Sequence, residues 1–391
     1  MAENTSGWER WLSARATVRE RRGLRRSDAL RAGSIDLASN DYLGLSNHPE
    51  VLRAAAETLE SYGTGAGASR MASGTLAVHR ELEAALCRYT HRDAALVFSS
   101  GYTANLGVLG SLGGPGSLFI LDEHAHASLV DGARLSGAAV ATAGHNDLAS
   151  FRRLLQANHS SAHPKPRVLL AVESVYSVFG DAAPLTELAA SCREFGALLL
   201  VDEAHSLAAS ESGSALRAAG LEARGQVITT ATLSKSLGAQ GGAVLFGGPA
   251  AAALREHLLN TARTFIFDTA LAPAAAGGAL AALRLADRAR LAALARNQRL
   301  IRGLLAEYPE LAGRVESGAG PIHSVKMPSA AAAVRAAATL AAQGIAVSCF
   351  RPPSVPDGIS RIRLTAHAHQ QPAELSTAIG KVARAAIEEE S

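Results

Sequence analysis

Lys235 lies in TLSKSLGAQGGA, a Ser- and Gly-rich turn directly after the apolar run VITTATLS. A lysine so placed faces a cleft rather than bulk water. Desolvation lowers its pKa, and the neutral amine is then a nucleophile towards aldehydes. A phosphate-binding P-loop lysine would need G-x-x-x-x-G-K-[ST], which the chain lacks. Asp202 closes a second apolar run, FGALLLVDEAH, where a carboxylate is costly unless it meets a cation. A metal-binding or Walker-B-type aspartate is the rival reading. The stretch from Asp202 to Lys235 has room for one helix and one strand. His205, three residues beyond Asp202, can reach a polar group held between the two.

Gly101 and Tyr102 sit in SSGYTAN, a strand-to-helix turn whose backbone N–H groups suit a phosphate. Thr232 and Ser234, beside the lysine, can add hydroxyl donors. An aldehyde-binding lysine, an acid for a ring nitrogen and a phosphate turn together point to pyridoxal 5′-phosphate (PLP), whose protonated ring is an electron sink for carbanions. His126 and His124, in LDEHAHASLVDG, are alternative imidazoles to stack on such a ring. Arg351 opens RPPSVP, where prolines stiffen the loop. A guanidinium presented this way suits an α-carboxylate, which arginine grips bidentately.

These groups need a scaffold that brings strand ends together. From about residue 94, the runs AALVFSS, SLFILD, AVATAG, VLLAVES, ALLLVDEAH, VITTATLS and AVLFGG alternate with helical patterns. Several runs are apolar throughout, as strands covered on both faces must be. This predicts an α/β fold with a mostly parallel sheet, which binds ligands beyond its strands' carboxyl ends. Gly101, His126, Glu173, Asp202, His205 and Lys235 all fall at such ends. Upstream, a helix-rich stretch over 47–91 is interrupted by the glycine-rich YGTGAGASRMASGT, which reads as a functional loop. After 275, an Ala/Leu/Arg helix of about thirty residues leads into HSVKM, a helix over 329–343, IAVSCF, RIRLTA and a final helix. This tail reads as a smaller α+β domain. The expected division is an N-terminal arm over 1–46, a large cofactor-binding domain over 47–275 and a small domain over 276–391.

The bulk composition is that of a globular protein, 48% hydrophobic and 19% charged over 391 residues. The net charge is only +3. Arg15, Arg19, Arg21, Arg22, Arg25, Arg26 and Arg31 crowd the N-terminal arm. That arm reads as a solvated helix, since no nucleic-acid-reading motif accompanies it. Cys87, Cys192 and Cys349 are far apart and show no metal-ligand spacing, which fits a reducing compartment. The opening MAENTSGWERWL lacks the apolar region of a secretory signal, and no uncharged apolar run reaches membrane-spanning length. A cytoplasmic protein is expected, with neither nucleic acid nor membrane as partner.

The runs NDYLGL (40–45), GASRMASGT, SSGYTAN, HASL, VESVYS, VDEAH, TLSK and FRPPSVP, in that order, resemble the α-oxoamine synthases. The likeness spans about residues 20 to 385. These are fold-type I PLP enzymes that condense an amino acid with an acyl thioester, in most members with loss of CO2. The GASRMASGT loop and the compact length look most like the branch that joins L-alanine to a pimeloyl thioester, carried on CoA or on acyl carrier protein. Other members use glycine or serine with a different acyl chain, and an aminotransferase on the same fold is a further rival. The resemblance implies that Lys235 forms the Schiff base, that Asp202 partners the pyridine nitrogen and that His205 lies near the phenolic oxygen. It selects His126 over His124 for stacking. Gly101, Tyr102 and Thr232 match the phosphate site, and Glu173 an acid between cofactor and substrate. Asn40, Ser177 and Arg351 match groups around the substrate carboxylate, and Arg25 an arginine near the acyl substrate. Thr269, in FIFDTALAP, matches a residue that reaches the phosphate in a neighbouring subunit, so a homodimer is implied. The chain departs from the family in two places. Ser206-Leu207-Ala208 follow the VDEAH histidine where glycine is usual, and His-Ala precedes the HASL run where a serine-containing form is usual.

Overall fold

The computed structural model describes residues 6–25, 35–161 and 165–389. Arg26 and Arg31 of the basic arm lie outside the described residues. The strands are β1 (Ile35–Leu37), β2 (Ala94–Phe98), β3 (Ser117–Asp122), β4 (Ala139–Ala143), β5 (Arg167–Glu173), β6 (Leu198–Asp202), β7 (Val227–Thr232), β8 (Gly242–Phe246), β9 (Val315–Ser317), β10 (Ile322–Lys326), β11 (Ile345–Phe350) and β12 (Arg361–Thr365). All seven runs read as strands of the large sheet are present. They form one sheet in the order β2-β8-β7-β6-β5-β3-β4, parallel except that β8 runs against both neighbours.

The absence of alternation in these strands has a direct cause. On β3, Leu118 and Ile120 enter one buried cluster while Phe119 and Leu121 enter another on the opposite face. On β5, Leu170 and Val172 are likewise divided from Leu169 and Ala171. Both faces are therefore covered, and each fully buried Leu or Phe contributes about 1.5–3 kcal/mol. The mostly parallel course sends the ends of β3, β5, β6 and β7 to one edge, where the polar groups collect.

The second sheet has the order β1-β11-β12-β10-β9. Its edge strand β1 pairs parallel with β11. A short strand of the N-terminal arm is thus hydrogen-bonded into the sheet formed by the C-terminal strands. The expected boundary at 275 falls inside the helix Pro273–Leu285, which packs on Pro49–Tyr62 and Ala77–Thr90. The expected thirty-residue helix is two helices, Pro273–Leu285 and Arg288–Ala306. Asp287 breaks it, because its carboxylate accepts a hydrogen bond from Arg290 N at 2.9 Å and caps the second helix. The N-terminal helix Gly7–Arg21 forms as read, with a Ser6/Glu9 capping box and no buried residue. Among the described residues no helix is long and apolar enough to cross a membrane.

Candidate active site

The edge formed by β3, β5, β6 and β7 floors an inner cavity of about 330 Å³, whose lining includes Gly101, Asn105, His126, Asp202, Thr232 and Lys235. An outer cavity of about 560 Å³ shares His126, His205 and Lys235 with it and reaches Asn40, Ser177 and Arg363. Parallel register sets Glu173 of β5 beside Asp202 of β6.

Asp202 is held on both oxygens. Oδ1 accepts from Ala204 N at 2.9 Å and Oδ2 from Asn105 Nδ2 at 2.7 Å. The same amide donates to Ser128 Oγ at 2.8 Å, and that hydroxyl lies 2.8 Å from His126 Nδ1. His126 is also the N-cap of the helix Ala127–Leu135, which fixes its backbone. One chain of contacts therefore orients both His126 and Asp202. Asn105 and Ser128 were missed by the sequence reading. Asn105 lies one helical turn past Gly101 in SSGYTAN, and that spacing was the available signal.

A second chain leads to the lysine. Lys235 Nζ is 2.8 Å from His205 Nε2, and His205 Nδ1 is 2.7 Å from the Tyr42 hydroxyl. Tyr42 donates to Asn40 Oδ1 at 3.0 Å, and the same oxygen accepts from Arg363 Nη2 at 2.9 Å. With the tyrosine proton directed to Asn40, His205 donates from Nδ1 and accepts from Lys235 at Nε2. Burial and the cations of Lys235 and Arg363 hold His205 neutral, well below the usual histidine range. Burial lowers the lysine pKa, against the pull of Asp202 and Glu173. Burial and the Asp202 charge raise that of Glu173. The result is an amine that sheds its proton readily beside an acid that keeps one.

The phosphate turn has the expected form. Gly101 and Tyr102 open the helix Gly101–Leu112, so their N–H groups lie outside its ladder. Thr232 and Ser234 hydroxyls are 2.7 Å apart on the facing wall. A Cβ at Gly242 would lie 2.2 Å from Ser100 O, so only glycine lets β8 approach the turn. The Tyr102 ring is partly exposed and its hydroxyl donates to Asp131 at 2.6 Å. These donors fit PLP: backbone N–H and hydroxyls for a phosphate, a carboxylate for a ring nitrogen, an amine for an aldehyde. Glu173 Oε1, buried and without a hydrogen-bond partner among the described residues, is a further polar atom left for a bound group.

The carboxylate end differs from expectation. Arg351 is turned to the N-terminal segment, where it donates to the carbonyls of Gly23 and Arg25. It does not line the outer cavity. Arg363, on β12, does. Its guanidinium is buried over the Phe350 ring and donates to Ser177 O at 2.8 Å. In sequence Arg363 was one polar residue of an ordinary strand, RIRLTA, with nothing to mark it. Asn40 and Ser177 line this cavity as read. The Arg25 side chain is exposed, 3.5 Å from Glu20, and does not line either cavity. Thr269 is exposed, bridges Ser69 and lies outside both cavities.

A lysine-floored cavity at the parallel edge of a seven-stranded sheet defines a class, and comparison agrees: the chain belongs to the class I and II aminotransferase family, whose model matches residues 32–382. Within it the curated relatives are narrower. The 8-amino-7-oxononanoate synthase of Mycolicibacterium smegmatis is 46% identical over 373 residues, 94% of each chain. Among solved structures, the serine palmitoyltransferase of S. paucimobilis, with bound PLP–myriocin, superposes with a TM-score of 0.85 at 30% identity over 96% of both chains. The 8-amino-7-oxononanoate synthase of Francisella tularensis gives 0.74 at 25% identity, over 91% of this chain and 99% of the other. The resemblance to α-oxoamine synthases is borne out.

Proposed function

We propose that this chain, with PLP in the inner cavity, condenses L-alanine with a pimeloyl thioester to give 8-amino-7-oxononanoate, CO2 and the free thiol, a step of biotin biosynthesis. The reading is carried by the pairing of Lys235 with Asp202 and His205 in one cavity, in a chain 46% identical to an 8-amino-7-oxononanoate synthase. When bound, PLP supplies the electron sink for charge at the amino-acid Cα. The chain's own groups do the rest. Asp202, oriented by Asn105, is the acid partner for the ring nitrogen. His126 would present its imidazole face to the ring, and His205 would serve the phenolic oxygen, since both line the inner cavity. The Gly101 and Tyr102 N–H groups, with Thr232 and Ser234, hold the phosphate. Arg363, Asn40 and Ser177 hold the α-carboxylate. Lys235 Nζ takes the Cα proton before the C–C bond forms and returns one after CO2 leaves, which is general acid–base catalysis by one group. Glu173, kept protonated, is placed to donate to an oxygen of the acyl group.

The assembled enzyme is a homodimer in this reading. Thr269, exposed and outside its own cavities, would serve the phosphate site of the partner subunit. The three cysteines, all free thiols, support a cytoplasmic location. The test is thiol release with L-alanine, glycine and serine against pimeloyl-, acetyl- and succinyl-thioesters on CoA and on acyl carrier protein. Release restricted to L-alanine and a pimeloyl thioester is expected. Preference for serine would favour the palmitoyltransferase-like alternative suggested by the 0.85 superposition. A free keto acid without thiol release would make the chain an aminotransferase.

A further inference from the structure

The hairpin that follows Glu173 is gripped from two sides. Val175 and Ala182 bridge to close it. From the small sheet, Arg363 donates to Ser177 O at 2.8 Å and Ser324 Oγ to Val178 O at 2.6 Å. Arg361 lies over the Phe179 ring, 4.6 Å from its centre. From the large sheet the grip comes from His145 and Asn146, with the histidine at its centre. His145, just after β4, is 2.8 Å from Asp122 Oδ1 through Nδ1 and 2.7 Å from Asp181 Oδ2 through Nε2. Asp122 ends β3, and Asp181 is on the hairpin. Asn146 Nδ2 adds a bond to Asp181 Oδ2 at 2.7 Å.

Both ring nitrogens of His145 meet carboxylates, so both must donate, and the ring is an imidazolium. Burial opposes that charge, but the hydrogen bonds and charges of Asp122 and Asp181 outweigh it and raise the pKa to about 9. His124 stacks on His145 at 4.0 Å and on Phe179 at 4.6 Å. Burial and the His145 charge keep His124 neutral. Asp122, His124 and His145 are close enough to share a metal ion. The ring stacking and the occupied nitrogens of His145 instead make this a closed ionic clasp. The groups facing His145 are Asp122, Glu123, His124, Tyr176 and Asp181, with Asp357 beyond His124.

We infer that His145 is a positioning residue for the amino-acid end of the reaction: clamped between Asp122 and Asp181, it fixes the hairpin that carries Ser177 and so sets Arg363 relative to Lys235. It lines neither the inner nor the outer cavity. It works because the hairpin is the surface on which the small sheet docks. If the hairpin shifts, Arg363 loses the Ser177 carbonyl and the carboxylate pocket changes shape. The mechanistic meaning of that pocket rests on the proposed reaction, but the clasp itself does not.

The test uses PLP-loaded protein, with L-alanine binding followed by the visible absorbance change. In H145A the Kd and KM for L-alanine rise about tenfold, as when a hydrogen bond to a charged group is lost, while the thioester KM stays put. D181A, at a half-exposed side chain, moves L-alanine binding in the same direction and decides the matter if H145A does not fold. Because both changes open one clasp, the double variant is no worse than H145A. Histidine NMR shows the His145 ring doubly protonated in wild type at pH 8 and singly protonated there in D181A. Unchanged L-alanine affinity in both single variants, or fully additive losses, overturns the inference. So does a His145 ring that titrates at the ordinary histidine value. A wild-type protein that does not respond to L-alanine overturns the proposed reaction instead, and the NMR titration still decides the clasp.

Discussion

Lys235 and Asp202 act only through what holds them. Lys235→Ala removes the one lysine lining the inner cavity among the described residues and should cut thiol release by at least about a hundred- to ten-thousandfold, the usual contribution of a positioned proton-transfer group. The thermal midpoint should change little, which separates lost chemistry from lost fold. Asn105→Ala tests the support. It strips Asp202 Oδ2 of its 2.7 Å donor while Ala204 N remains on Oδ1. A hydrogen bond to a charged group is worth about 1.5–3 kcal/mol, so kcat should fall about ten- to a hundredfold. His126 should also be affected, since its Ser128 partner loses the same amide. An Asn105→Ala enzyme with wild-type kcat would show that Asp202 needs no orientation.

Elements carry their own costs. The segment after His205 departs from the family, and its price is visible at Ala208, whose φ is +52°. An alanine in the left-handed region costs roughly 1 kcal/mol relative to glycine. The conformation is imposed by the turn, in which Ala208 N bonds Gly213 O at 2.8 Å and the Leu207 side chain is buried in the core. Relief of that strain is largely offset by the roughly 0.4–1 kcal/mol of entropy glycine adds to the unfolded chain, so Ala208→Gly should leave stability within about 0.5 kcal/mol of wild type in chemical denaturation, where an alanine without strain would lose more. The His145 clasp makes a pH-dependent contribution with a definite sign. Its folded pKa of about 9 lies above the ordinary 6.5. Its stabilisation is complete below about pH 6.5 and is lost as pH rises through 9. The difference in thermal midpoint between wild type and H145Q should shrink steadily from pH 6.5 to 10. A constant difference over that range would show that His145 is not charged in the folded protein.

At the scale of the molecule, the site is assembled across the two sheets. The chain of contacts from Arg363 through Asn40, Tyr42 and His205 to Lys235 joins β12, the segment after β1, the end of β6 and the turn after β7. Parallel pairing of β1 with β11 is what brings Asn40 to the outer cavity and Tyr42 to His205. Trp8, Trp11 and Thr269 are exposed, and the homodimer of the proposed function is tested at them. Sedimentation should give a dimer, and Thr269→Ala should weaken PLP retention several-fold without changing the thermal midpoint of the PLP-free protein. A fully active monomer would refute this arrangement.

The sequence alone determined the large sheet and which polar residues end its strands. Short uninterrupted apolar runs bounded by turn residues read as strands covered on both faces, and a polar residue closing such a run falls at the sheet's edge. Lys235, Asp202, His205 and the Gly101 turn follow from that local logic; the order of motifs supplied the family, and with it the preference for His126 over His124. Tertiary structure alone decided the carboxylate end. Arg351 has the stiff proline loop that a reader would choose, yet its guanidinium is used on the carbonyls of Gly23 and Arg25. Arg363 lies in an ordinary-looking strand and is aimed into the cavity only because β12 packs beside β11 and over the hairpin of Ser177. Likewise β1 depends on β11 at the other end of the chain, and the His145 clasp on Asp122 and Asp181, 23 and 36 residues away. Local pattern fixes which face of an element is buried; which distant element covers that face is set by packing, and a side chain's partner is chosen there.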